Sequence, residues 1–113
     1  PMQTRHNLDA ILERAGMRGL PVLLIGLEAP RNLGPDYKTA FDGIYPELAA
    51  AHGTLLFPSF LAPLREGRDT AGILEDLMQA DGIHPNAAGV EVIVAALGPM
   101  VLRLIDRSTK VAE

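Results

Sequence analysis

The sequence predicts an α/β layer fold built on parallel strands, and three observations point there. Two short apolar runs of strand length are unbroken by polar residues, amphipathic stretches at helical spacing flank them, and the order is helix, strand, helix, strand, loop, helix. Crossovers joining parallel strands in such an alternation are right-handed.

Each element has a local reason. "TRHNLDAILERAGMRG" sets Leu8, Ile11, Leu12 and Ala15 on one stripe with Arg and Glu opposite, and Gly16 and Gly19 can stop it. "LPVLLIGLE" starts through Pro21 and is rich in Val, Ile and Leu, which suits a strand covered on both faces. "PDYKTAFDGIYPELAAAHG" returns to helical spacing at Tyr37, Ala40, Phe41, Ile44 and Leu48, with Gly53 to close it. Pro46 within it removes a backbone donor and is expected to kink or split the helix. "GTLLFPSF" is the second strand, and "LREGRDTAGILEDLMQ" reads as loop with a short helix. Residues 85 to about 107 form the closing helix, with Val90, Ile93, Val94, Leu97, Val101, Leu104 and Ile105 as its buried face and Pro99 as a bend.

Length and composition bound what this can be. The 113 residues make one domain at most, and a hydrophobic share of 48% is ample for a core. A net charge of −4 with scattered Lys and Arg gives no footprint for nucleic acid or an anionic membrane. Absence of cysteine excludes disulfides, thiolate metal sites and a cysteine nucleophile, and leaves the compartment open. No apolar stretch is expected to reach the roughly 20 residues that span a bilayer, and "PMQTRHNLD" lacks the plan of a signal peptide. Two parallel strands alone make a marginal sheet, so the missing strands are expected from elsewhere.

The chemistry concentrates in "QADGIHPNAAGVEV", which spaces Asp81 and His84 three residues apart before the apolar run of the last helix. Two readings are open. In one, Asp-Gly makes a turn, Pro85 holds His84 extended, and Asn86 or Pro85 starts the helix. In the other, the carboxylate accepts the Nδ1 proton of the imidazole and leaves Nε2 free as a base.

"DGIHPNAAG" resembles the last signature block of the SGNH, or GDSL-type, hydrolases, in which Asp and His complete a Ser-His-Asp triad. "PVLLIGLEAPRNLGPDYKTAFDGIYPELAAAHGTLLFPSFL" looks like the bacterial arylesterase and multifunctional thioesterase/lysophospholipase branch, so the resemblance runs from about Asn7 to Ile105. It implies a flavodoxin-like, three-layer α/β/α sandwich on a five-stranded parallel sheet, of which this chain supplies the last two strands. It also implies a carboxylic ester hydrolase without metal or organic cofactor, with His84 as general base and Asp81 orienting it.

The family's Gly-Asp-Ser nucleophile block and its Gly-x-Asn-Asp oxyanion block do not occur here. Residues 1–113 are therefore expected to be the C-terminal part of one hydrolase domain, inactive alone, whose partner is the N-terminal half of the same hydrolase. Ser59 and Ser108 are the only serines, and neither lies in a Gly-x-Ser-x-Gly elbow; Ser59 is expected to satisfy its hydroxyl locally. His6, His52 and His84 lack the spacing of a helical ligand pair, and His6 and His52 read as solvent-facing helix ends. The loop "LEAPRNLGPDY" leaves a strand's C-terminal end, where α/β sheets bind ligands. It offers Arg31 and Asn32 for polar substrate groups and Leu27 and Leu33 for an apolar wall, and Ile83 is the matching candidate between the two catalytic side chains. The expected substrate is a small ester, thioester or lysophospholipid.

Overall fold

The computed structural model describes residues 1–112. Helix α1 (Met2–Met17) leads to strand β1 (Leu23–Ile25), a 3-10 turn (Arg31–Leu33), α2 (Pro35–Asp42), α3 (Ile44–His52) and β2 (Leu55–Phe57). A second 3-10 turn (Ala62–Arg65), α4 (Thr70–Asp76) and the long α5 (Ala87–Ala112) complete it. The strands pair in parallel with Leu23, Leu24 and Ile25 opposite Leu55, Leu56 and Phe57, so the α/β reading with parallel strands holds.

Only three residues of each apolar run pair as strand. Beyond Ile25 the two chains stay tied through the Gly26 amide, which donates to the Phe57 carbonyl at 2.8 Å, and the Phe60 amide, which donates to Gly26 at 2.9 Å. Leu24 joins Leu12, Ile44, Tyr45, Leu48 and Ala49 in one core cluster, with Leu56 packed against it. Side chains alternate along a strand, so Leu23, Ile25, Leu55 and Phe57 turn to the other face. α5 packs against both strands, and its Ile93 joins Leu64, Leu77 and Met78 in a second cluster.

Several expectations need correction. The helix over 35–53 divides at Gly43, not at Pro46, because Pro46 falls in the first turn of α3, where a missing amide costs no helical hydrogen bond. Ile11, assigned to the buried stripe of α1, is exposed, and Leu12 carries the burial alone with Leu8 beside it. On α5, Val90, Val94, Val101 and Ile105 are all exposed, and Leu102 with them. Their stripe is apolar, but no element among the described residues covers it. β1 is likewise not covered on both faces, since Ile25 is exposed.

The bilayer-length expectation also changes. One helical stretch, Ala87–Lys110, is long and apolar enough to cross a membrane by length and composition, with mean hydropathy 1.9. Glu91 and Arg103 are the only charges between Ala87 and Leu104.

The fold is open for its size. Its accessible surface is 7643 Å², whereas a compact chain of this mass exposes roughly 6,000 Å². Its radius of gyration is 15.9 Å against about 13 Å for a compact domain of this length. α1 is held to α3 by more than the Leu12 contact: Arg5 pairs with Glu47, and Asp9 meets His52 Nε2 at 2.6 Å. His52 is therefore a half-buried tie between helices and not the solvent-facing helix end the sequence suggested; His6 is exposed as expected.

Candidate active site

The Asp-x-x-His loop is built by its own backbone. Buried Leu77 and Met78 anchor its start, and Met78 forms an isolated antiparallel bridge with Pro85. Within that bridge the Gln79 amide donates to the His84 carbonyl at 2.8 Å, and the Gly82 amide donates to the Gln79 carbonyl at 2.9 Å. Gly82 has φ +67°, the left-handed conformation that a residue with a Cβ adopts at a cost, so Asp-Gly fits this turn. The Gln79 side chain closes the far side by donating to the Pro85 carbonyl at 3.1 Å.

Asp81 sits at the centre of this turn. Its Oδ1 accepts from the Ile83 amide at 2.9 Å and from the His84 amide at 3.0 Å, while Oδ2 lies 2.6 Å from His84 Nδ1. The imidazole hydrogen bond, followed by the two backbone amides, lowers the carboxyl to about 2. An ionised carboxylate can only accept, so Nδ1 carries the proton and donates it to the contact. The neutral ring then holds its lone pair on Nε2. With its side chain 69% exposed, His84 presents that nitrogen away from the chain.

The other candidates fall elsewhere. Leu27 and Arg31 line a cavity of about 380 Å³ together with Ala29, Lys38, Ser59 and Arg65, at the C-terminal ends of the two strands. Asn32 and Leu33 follow Arg31 in the 3-10 turn, are exposed, and are not among the lining residues. Ile83 is exposed beside His84, and neither lines the cavity. Ser59 is buried in the cavity wall. Ser108 lies on the exposed C-terminal part of α5. Among the described residues no three or more His, Asp or Glu side chains converge as a metal site.

No family model matches the chain. Esterase TesA of Pseudomonas aeruginosa is 37% identical to it over 105 residues, which cover 93% of this chain and 49% of the relative. Thioesterase 1/protease 1/lysophospholipase L1 of Escherichia coli K12 is 35% identical over 86 residues, covering 76% of this chain and 38% of that protein. The crystal structure of AlinE4, an SGNH-hydrolase family esterase, superposes with a TM-score of 0.62 at 42% identity over 91% of this chain and 51% of that one. The chain belongs to the SGNH hydrolase family. It spans about half the length of the relatives it matches, in their C-terminal part.

Two residues of this SGNH chain hold the loop in place, Asn86, one of the two helix starts the sequence offered, and Gly89, which it did not single out. Asn86 caps α5 by accepting from the Gly89 amide at 2.9 Å, the role that a small polar residue before an apolar helical run signals. Its Nδ2 also reaches back to the Asp76 carbonyl at 3.0 Å, which ties the end of α4 to the start of α5. Gly89 lets α5 pass against the loop's entrance: a Cβ there would sit 2.2 Å from the Leu77 carbonyl oxygen and 3.1 Å from Pro85 Cβ. The Leu77 oxygen is already fixed, since it accepts from the Asn86 amide at 2.9 Å. Gly89→Ala is therefore expected to destabilise the fold by about 2 kcal/mol, and thermal unfolding should register a Tm lower by roughly 8 °C. A variant melting with the parent would mean that α5 does not lie this close to Leu77.

Proposed function

We propose that this chain is the base-bearing half of a serine carboxylic ester hydrolase. The observation that carries the reading is the Asp81–His84 pair, with Nδ1 bound to an ionised carboxylate and Nε2 exposed and free. In the proposed reaction, Nε2 takes the proton of a serine hydroxyl as that oxygen attacks the ester carbonyl. The imidazolium so formed is stabilised by Asp81 and passes its proton to the leaving alcohol or thiol as the tetrahedral intermediate collapses; water then repeats the cycle on the acyl-enzyme.

The nucleophile is supplied from outside these 113 residues, by the N-terminal half of the same hydrolase, joined to this chain or bound to it. Ser59 is in the wall of a cavity that His84 does not line, and Ser108 is on the C-terminal part of α5. The same half adds the strands that complete a three-layer α/β/α sandwich. The open surface, the two-strand sheet and the uncovered stripe of α5 support that reading. On its own the chain is inactive, since a base without a nucleophile does no acyl transfer. The relatives' names, esterase and thioesterase/lysophospholipase, favour small carboxylic esters, thioesters or lysophospholipids as substrates. No metal or organic cofactor takes part in this scheme.

The exposed apolar stripe of α5 also favours a second reading, in which the chain acts only by association with a partner. Fluorophosphonate labelling followed by intact mass spectrometry of every polypeptide in the purified material separates the two. Label is expected on a serine outside residues 1–113. Label on Ser59 would overturn the assignment of the nucleophile, and no label on any polypeptide would leave association as the function.

A further inference from the structure

We infer that the cavity at the C-terminal ends of β1 and β2 is a binding subsite for a small organic oxyanion, a carboxylate or phosphate on a short apolar stem, held by Arg31 and Ser59. The volume of about 380 Å³ lies in the range of small-molecule sites. What decides the ligand is which polar groups of its wall are already occupied.

The wall carries three cations and one carboxylate: Arg31, Lys38, Arg65 and Glu28. Arg65 is spent on Glu28 at 2.6 Å, a pair that also clamps the loop after β1 to the turn after β2. Lys38 is spent on Asp42 at 2.8 Å and on the Ala29 carbonyl at 2.9 Å. Asp42 in turn accepts from the Ala29 amide at 2.7 Å. Both backbone groups of Ala29 are thus fixed, and the wall they belong to is rigid. Arg31 is the one cation of the wall without a carboxylate partner among the described residues.

Ser59 supplies the second, independent observation. Its relative exposure is 8%, and it borders the cavity. A serine hydroxyl on the wall can donate to a ligand oxygen, which adds to its affinity. The guanidinium is a pure donor and the hydroxyl can turn its proton toward the same ligand, a set that suits a negatively charged, multidentate acceptor such as a carboxylate or phosphate. Leu27, Pro30 and Leu61 make the remainder of the wall apolar and suit a stem of a few carbons.

Such an oxyanion has two sources: the acid group of a dianionic or zwitterionic ester substrate, or a free organic acid. The first source rests on the proposed hydrolase activity; binding itself does not. Butyrate, its neutral isostere butyramide and inorganic phosphate are titrated into ¹⁵N-labelled protein while the Arg31 Nε–H and Ser59 amide signals are followed. Butyrate is expected to shift both saturably, with butyramide at least about tenfold weaker, and Arg31→Ala or Ser59→Ala should weaken butyrate binding by about tenfold. Inorganic phosphate should shift Arg31 and bind more weakly than butyrate, because it lacks the stem.

Turnover of the chain combined with its nucleophile-bearing half assigns the source. If the subsite serves the substrate, Arg31→Ala lowers about tenfold the ratio of kcat/KM for a p-nitrophenyl ester with a terminal carboxylate over that for its neutral counterpart. If it serves a free acid, that ratio holds while added butyrate alters hydrolysis in the parent and not in Arg31→Ala. Equal binding of butyramide and butyrate, butyrate binding that survives Arg31→Ala, or no saturable shift of either signal would overturn the subsite. Saturable binding without any esterase activity once the nucleophile-bearing half is present would retain the subsite and count against the hydrolase reading instead.

Discussion

Replacing His84 by alanine is expected to remove ester hydrolysis almost completely, with kcat falling by about 10⁴- to 10⁶-fold when the chain is assayed with its nucleophile-bearing half. In the proposed mechanism the imidazole is the only group that can take the serine proton and return it to the leaving group, so its loss stops both half-reactions. The fold should survive. The His84 side chain is 69% exposed, and besides its exposed Nδ1 contact with Asp81 the loop's bonds at this position are made by main-chain atoms: its amide donates to Asp81 Oδ1, and its carbonyl accepts from Gln79. Stability is therefore expected to change by no more than about 0.5 kcal/mol, as for other exposed substitutions. Steady-state hydrolysis of p-nitrophenyl acetate beside a thermal melt checks both halves of this statement. A variant that melts like the parent and keeps more than a hundredth of its turnover would remove His84 from the mechanism.

That loop could be read in the sequence because everything that shapes it is local. Asp81 reaches Ile83, His84 amide and His84 Nδ1 within three residues, and the turn is closed by Gln79 and Pro85 on either side of it. The helices were readable for a similar reason, since spacing along one segment reports a face. What spacing cannot report is whether another element exists to cover that face. Val90, Val94, Val101 and Ile105 repeat correctly on α5 and are nevertheless exposed, and Ile11 does the same on α1. Position within a helix decided the other error: Pro46 disrupts only if it falls beyond the first turn, and the division at Gly43 puts it inside that turn. Gly89 against Leu77, Lys38 against Ala29 and Arg65 against Glu28 join residues from different segments, so no local pattern announces them. The oxyanion cavity follows from such contacts, and so the sequence offered Leu27 and Arg31 as candidates without showing what stands opposite them.

Asp81→Asn separates the carboxylate's electrostatic part from its structural part. The amide oxygen of an asparagine can still accept from the Ile83 and His84 amides, so the turn is retained. Its nitrogen carries hydrogens, however, and would face His84 Nδ1 as a donor. The ring then has to accept there and move its own proton to Nε2, which leaves no lone pair for the serine. The expected cost is about 10⁴ in kcat at neutral pH, and more than a tenth of parental turnover in a well-folded variant would sink the role given to Asp81. The parent's pH profile tests the same point from the other direction. The ordinary value for this carboxyl is 3.8 and the folded value is about 2, set first by the His84 contact. A depressed carboxyl stabilises the folded loop fully above the unfolded value, and that contribution is lost only as pH falls through the folded one. Asp81 therefore stays charged well above its folded value, and its own ionisation adds nothing to the acid side of kcat/KM above pH 4, where a logarithmic slope of about one is expected. A slope approaching two above pH 4 would mean that Asp81 takes up a proton there, and that the carboxylate is not held in its charged form by this contact.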